Sequence, residues 1–465
     1  MLNGLKSALP INSQKLNNFF YSPFFPSYIG ILCVACYTLN TPLIGLAIMA
    51  FFACILLIIY RDLCPFMCLP FLVIMLFRDI NDIVNVASVF ILFPVAVCLV
   101  LHFIIYPPKC IFKGKLVLPF LLISITLFTG GLFSQYITEY HKSIVFSVAS
   151  GPVLLFAYLL FYEYVTPTDS FDLKKYVCQV LLVVGFVATT QTAIHKFYIY
   201  EFFDYGTLLP DEIGWNNANG IASLLLVCVS CCAYLLCTAK KVIPTFIAFM
   251  LLCAGVFITD SVGCIGALII SMPIMLYFTI KKANKQNKRS LLLLYLLTFA
   301  IIIIGIGLYI YLEGLGEVNE YIKTNLSHDH GRTALIKEGW ALFKKYPIFG
   351  VSMGYVNPDT KLKVNSVVSY NFHSTPFHIL ATMGVVGFVA YTYYYVQRYK
   401  LLMHNDSAFN TFAFIGFSIF QAYGFIDTCE FNVIPCMLIL TIFFAILERL
   451  NEKSNEKPLP LKSLY

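Results

Sequence analysis

Apolar runs long enough to cross a lipid bilayer recur along this chain, from near its N-terminus to Leu447. A hydrocarbon core about 30 Å thick is crossed by roughly 20 helical residues. About fourteen segments qualify: 22–40, 43–60, 65–78, 86–106, 116–133, 144–163, 176–194, 217–237, 242–258, 262–280, 290–312, 374–396, 408–425 and 432–448. Several are short or carry Pro, so twelve to fourteen transmembrane helices are expected. The bulk agrees: 59% of the 465 residues are hydrophobic and only 12% charged, with mean hydropathy +0.81. A soluble chain of this length could not hide so much apolar surface. The expected fold class is an all-α, polytopic membrane protein.

Orientation follows from the cations. With the N-terminus inside, the inward segments hold 21 of the 31 Lys and Arg residues, including the cluster Lys281, Lys282, Lys285, Lys288 and Arg289. Of the 10 on the outward side, 7 fall in one long loop. Short outward loops are nearly free of cations, as the positive-inside rule requires, and both termini come out cytoplasmic. This asymmetry accounts for the +7 net charge without a nucleic-acid partner. Of the sixteen cysteines, only Cys429 falls clearly in an outward loop, so they read as small apolar residues rather than a disulfide framework. The segment Met1 to Pro26 has no cleavable signal ending.

No internal repeat of the kind that marks many secondary transporters is found. The division expected is an N-terminal bundle (1–312), an extracytoplasmic loop (313–372), C-terminal helices (373–448) and a cytoplasmic tail (449–465). So long a connection in a compact membrane domain is usually functional or disordered. This one contains "GRTALIKEGWALFKKYPIFGVSMGYV", with helical periodicity and then a Pro–Gly turn. On a helical wheel, Leu335, Ile336, Gly339, Trp340, Leu342 and Phe343 fall within about 80° of Arg332, and Lys337, Glu338, Lys344 and Lys345 fall opposite. Arg332 thus sits in the apolar stripe. It is either an interfacial cation snorkelling to headgroups or a guanidinium holding a phosphate of a lipid-linked substrate, which its fork geometry suits.

Three further outward polar clusters stand out. "GWNNANGIASLLL" opens a span with Asn216, Asn217 and Asn219, which suit either helix capping or hydrogen bonding to sugar or phosphate. "FITDSVGCIGAL" makes a tight turn with Asp260 and Ser261, and "GFIDTCEFN" carries Asp427 and Glu430. His373 precedes Pro376, a residue suited to a first helical turn. It lies at the outward start of a span, where the helix dipole favours a neutral ring able to accept a proton. A plain interfacial His is the alternative. His378, one turn on, reads as a packing or hydrogen-bonding residue. There is no D-x-D, P-loop, H-E-x-x-H or paired C-x-x-C pattern, so no metal or cofactor is expected.

These motifs together resemble the O-antigen ligase and O-antigen polymerase superfamily of bacterial glycan-assembly membrane proteins. "GRTALIKEGWALFKKYPIFGVSMGYV" is similar to the family's Arg-containing loop helix and the turn after it. "FHSTPFHILATMGVVG" is similar to its His-led segment ending in Gly-hydrophobic-hydrophobic-Gly, and "NNANGIASLLL" to its Asn-rich span start. The resemblance covers about the C-terminal half. It implies metal-independent glycosyl transfer at the outer face of the bacterial cytoplasmic membrane, from an undecaprenyl-diphosphate-linked glycan to a glycan or lipid-anchored acceptor. It further implies that Arg332 holds the diphosphate and His373 activates the acceptor, with Asn216, Asn219, Asp260, Ser261 and Asp427 as candidate substrate contacts. The chain departs from the family in reading Ser261, Val262, Gly263 where a Ser-Arg-Gly turn is common. Lys142 and Lys196 are the outward cations available to replace that Arg. A lipid-linked oligosaccharide flippase is the rival of a different class, but it would be expected to show internal pseudo-symmetry and charges lining a central path.

Overall fold

The computed structural model describes residues 13–78, 86–109, 112–137, 143–199, 212–213, 216–313, 332–357, 372–428, 430–431 and 434–456. In chain order the helices are α1 (Ser13–Phe20), α2 (Phe24–Leu39), α3 (Pro42–Ile59), α4 (Cys68–Leu72), α5 (Val86–Ile105), α6 (Val117–Thr129), α7 (Ile144–Val148), α8 (Leu154–Tyr164), α9 (Leu173–Ile194), α10 (Ala218–Thr238), α11 (Val242–Ile258), α12 (Val262–Lys282), α13 (Lys285–Glu313), α14 (Arg332–Lys345), α15 (Thr375–Leu402), α16 (Ala408–Tyr423) and α17 (Ile434–Glu456). Extended pairing among the described residues is limited to Glu212–Ile213 against Asn216–Asn217, just before α10. The protein is an all-α polytopic membrane protein. Every segment expected to span coincides with helical residues, but among the described residues seven continuous helical stretches are long and apolar enough to cross a membrane. An eighth is reached if α1 and α2, bent by 55°, form one span. Part of the difference is one of length, since α6, α11 and the Pro65–Leu76 stretch are shorter apolar helices.

Local chemistry sets the helix ends. Asn40 terminates α2 in the left-handed conformation, and Pro42 stands in the first turn of α3. Asp172 caps α9 by accepting from the Lys175 N–H, Asn217 caps α10 from Gly220, and Ser407 caps α16 from Asn410. The centre of the bundle is α10, whose apolar window is entirely buried. Its Gly, Ala, Ser and Cys residues let α9, α11, α12 and α16 approach closely. The described cysteines are all free, consistent with a packing role.

The feature that shapes the functional region is a break in α15. Gly384 has φ 64° and ψ −158°, a conformation essentially reserved for glycine. The rings of His378 and Tyr391 both lie against Phe431, with centroids 4.6 and 5.4 Å away. In a straight helix those two residues would be about 20 Å apart along the axis. The helix is therefore bent into two arms, 375–383 and 385–402, that face a common ring. Into the bend docks the "YPIFGVS" turn after α14. Val351 and Ser352 N–H donate to the Ala381 and Thr382 carbonyls, while Val385 and Val386 N–H donate to Pro347 and Ile348. The broken helix thus keeps its backbone groups paired, as a low-dielectric setting demands. An added Cβ at Gly384 would stand 2.3 Å from the Ile348 oxygen, and one at Gly350 2.4 Å from the Thr382 carbonyl carbon. Both glycines are required by this close approach.

The amphipathic reading of α14 holds in outline. Gly339 and Leu342 are buried, Leu335, Ile336 and Phe343 are half-buried, and Lys337, Lys344 and Lys345 are exposed. Two residues depart from it. Trp340 is exposed, and Glu338, placed on the polar face, is half-buried and accepts a 2.8 Å hydrogen bond from the Tyr355 hydroxyl. The turn that folds back over α14 supplies that partner, which the wheel could not foresee. Leu342, Val351, Tyr355, Phe372 and Ala381 form a small core of their own that fixes α14 to the first arm of α15.

Candidate active site

His373 sits two residues before α15 with φ 46°, left-handed backbone that a side chain other than glycine rarely adopts. The first arm of α15 is pinned at its start. Thr375 N–H donates to the Gly424 and Asp427 carbonyls at 2.8 and 3.2 Å, and its hydroxyl donates to Asp427 O at 3.1 Å. This brings His373 Nδ1 to 3.3 Å from Asp427 Oδ1. The His373 side chain is 33% exposed and that of Asp427 only 1%. A solvent-side molecule can therefore reach the ring but not the carboxylate. Among the described residues Nε2 of His373 makes no hydrogen bond.

Asp427 is well supplied with donors. Thr428 N–H donates to Oδ1 at 2.7 Å and the Tyr423 hydroxyl to Oδ2 at 3.2 Å. Burial alone pushes this carboxyl up, but His373, Thr428 N–H and the Arg332 charge outweigh it and hold it below the usual carboxylate range. An ionised Asp427 can only accept, so Nδ1 of His373 carries the proton in this contact, and in a neutral ring Nε2 is then the atom with the free lone pair. Arg332, the first residue of α14, is half-buried and close enough to act on Asp427. Among the described residues its guanidinium has no hydrogen bond or ion pair. A half-buried guanidinium with no ion pair among the described residues, beside a histidine, is suited to an anion.

Polar contacts continue from Tyr423. Its hydroxyl lies 3.5 Å from Ser261 Oγ, which donates to Asn219 Oδ1 at 2.7 Å. Four of the expected site residues, Asn219, Ser261, Asp427 and His373, therefore join one polar chain across α10, the α11–α12 turn, α16 and α15. Tyr423, which links them, was not singled out from sequence. Its position four residues before Asp427, on the last turn of α16, was the available signal. Gly263 is what admits it, because an added Cβ there would meet the Tyr423 ring at 2.6 Å. Asp260 stands apart from the chain, in an ion pair with Lys196. Lys196 thus lies at the turn that carries Val262, itself exposed. The side chain of Asn216, all of Lys142 and Cys429 lie outside the described residues. His378 is fully buried between Phe372 and Phe431, and neither of its ring nitrogens finds a hydrogen-bond partner among the described residues. It is a packing residue.

Fold and site define a polytopic membrane protein with a His–Asp pair whose carboxylate is shielded and, on a loop helix, a guanidinium without an ion pair among the described residues. Residues 246–392, about a third of the chain, match the family model described as O-antigen ligase, which supports the resemblance to the O-antigen ligase and polymerase superfamily. The matched stretch contains the Ser261 turn, α14, the Pro347–Gly350 turn, His373 and the Gly384 bend, and ends before Tyr423 and Asp427. No curated protein matches the chain. The match supports O-antigen ligase or polymerase-type function in general terms.

Proposed function

We propose that this protein extends or attaches a bacterial surface polysaccharide by moving a glycan from undecaprenyl diphosphate to a sugar hydroxyl on the outer face of the cytoplasmic membrane. The carrying observation is the His373–Asp427 pair, in which Nε2 of the part-exposed ring makes no hydrogen bond among the described residues, beside Arg332. The acceptor hydroxyl gives its proton to His373 Nε2 as its oxygen bonds to the anomeric carbon of the donor. The bond from that carbon to the diphosphate oxygen breaks, and its electron pair leaves with the diphosphate, whose charge Arg332 stabilises. Asp427 keeps the Nδ1–H tautomer and stabilises the imidazolium that forms. The chemistry assigns no role to a metal.

A cleft beside the pair supports a lipid donor. A cleft of about 400 Å³ lies between the arms of α15 and the end of α16, lined among others by Thr375, Ile379, Tyr391, Tyr395 and Phe425. It begins at Thr375, the residue that anchors Asp427, and is mostly apolar, which suits an isoprenoid chain whose headgroup reaches His373.

The test is reconstitution. Purified protein in liposomes, given lipid-linked repeat units, should lengthen the glycan and release undecaprenyl diphosphate. Movement of donor between leaflets without bond cleavage would instead establish the flippase reading. Orientation has its own check, because α14 should face away from the cytoplasm. A cysteine replacing the exposed Lys337 should react with an impermeant thiol reagent on intact spheroplasts. Labelling only after lysis would place the proposed site on the wrong side of the membrane.

A further inference from the structure

Beneath the His373–Asp427 pair lies a charged pair that the proposed chemistry does not use. Arg398, on the second arm of α15, is 0% exposed, and its Nη1 is 2.8 Å from Glu430 Oε1. Glu430 also accepts from Gln421 Nε2 at 2.6 Å and from the Tyr395 hydroxyl at 2.9 Å. The guanidinium is packed against the rings of Tyr394, Phe417 and Phe444, with centroids 4.3–4.6 Å away. Its Nε and Nη2 have no hydrogen-bond partner among the described residues. Such a pair is a poor source of stability. Desolvating each ion costs several kcal/mol, and well-packed apolar side chains would commonly serve as well or better. What the pair does supply is a fixed point. Glu430 is three residues beyond Asp427, in the turn that follows α16.

That turn is held from two sides by one bent helix. The first arm grips it through Thr375 on the carbonyl of Asp427, and the second arm through Tyr395 and Arg398 on the carboxylate of Glu430. The glycine bend at 384 brings the two grips together. The Asp427 side chain has little freedom left, and its height relative to His373 is set by both anchors. A displacement of about 1 Å in a catalytic group can cost on the order of 10² in rate.

We infer that Arg398 and Glu430, with Tyr395, are positioning residues that act on the reaction through Asp427, holding its carboxylate against His373. This inference rests on the proposed role of the His373–Asp427 pair. Glu430→Gln should lower kcat roughly 10- to 100-fold with KM for the lipid-linked donor little changed. Tyr395→Phe, which deletes one hydroxyl and leaves the ion pair, should lower it several-fold. A residue that only supports folding could produce such losses too, so the deciding measurement is a double-mutant cycle with Asp427→Asn, normalised to folded protein. If the anchor works through Asp427, neither Glu430→Gln nor Tyr395→Phe lowers the residual turnover of Asp427→Asn any further. Losses that multiply in the double variants would show a general structural effect and overturn the inference, as would full activity of both single variants. Should Glu430→Gln fail to accumulate because Arg398 is left unpaired, Tyr395→Phe carries the same cycle. Failure of the underlying reading is separately visible. An Asp427→Asn variant as active as the parent would remove the catalytic pair, and the anchor's purpose with it.

Discussion

His373→Ala is expected to lower glycan transfer by about 10²–10⁴-fold, the usual contribution of a positioned general base. Protein abundance and donor-lipid binding should be largely preserved. The side chain is one-third exposed and its one described hydrogen bond is to Asp427, so few packing contacts go with it. His378→Ala makes the informative contrast. That ring is wholly buried against Phe372 and Phe431, and removing it leaves a cavity. Its cost should appear as lower stability and yield, with turnover per folded molecule nearly retained. The measurement is initial rate with purified lipid-linked donor, each variant normalised to monodisperse protein. Near-normal turnover by His373→Ala, with only reduced expression, would make the residue structural and leave the reaction without its base.

The pH behaviour of the pair has a definite sign. Asp427 is held below the ordinary carboxylate range, so its pairing contributes stability that is fully present above an unfolded value near ~3.9. The contribution is lost as pH falls through the depressed folded value. Over the range in which a bacterial envelope works, the carboxylate stays ionised.

How much of this was legible beforehand differs by the kind of information involved. The spans were readable because lipid imposes length and hydropathy on each segment independently. Arg332 and His373 stand out as candidates in the sequence because a charge in an apolar stripe and a polar residue at the mouth of an apolar run are local anomalies. The glycines at 384 and 387 visibly interrupted their run. That Gly384 folds the helix around the 347–351 turn could not be seen, because the carbonyls and N–H groups it frees are satisfied by a segment more than thirty residues earlier. Asp427 was noted, but not as the partner of His373, since that contact depends on Thr375 pinning one turn to another. Glu430 was noted only as a turn acid. Arg398 passed as an inward-side cation just past the expected end of a span, because the segment was read as ending at 396 rather than at Leu402. Contacts made by the bend are a property of tertiary packing, and no local pattern encodes them.

Arg332→Lys carries the second large expected effect. Arg332 opens α14, is half-buried, and among the described residues has no partner for its guanidinium, although its charge is felt at Asp427. Nothing in the described structure therefore requires the fork of donors that Arg provides; a snorkelling role would need only a positive charge near headgroups, which Lys supplies equally well. A diphosphate leaving group makes a different demand. Its developing charge is spread over several oxygens, which a planar guanidinium meets with paired hydrogen bonds and an ammonium meets as a point charge. Losing one such charge-assisted bond is worth about 1.5–3 kcal/mol, so Arg332→Lys should slow transfer by roughly 10- to 100-fold at unchanged protein level. Lys344 gives the control on the same helix. It is exposed, and its described interaction is with the Trp340 ring at 5.7 Å, so Lys344→Ala should be nearly silent. Polymer length in cells and initial rates in liposomes would both report the difference. If Arg332→Lys and Lys344→Ala behave alike, the guanidinium serves the membrane interface, and the diphosphate must be held by another cation, with Lys196 at the Val262 turn the first to test.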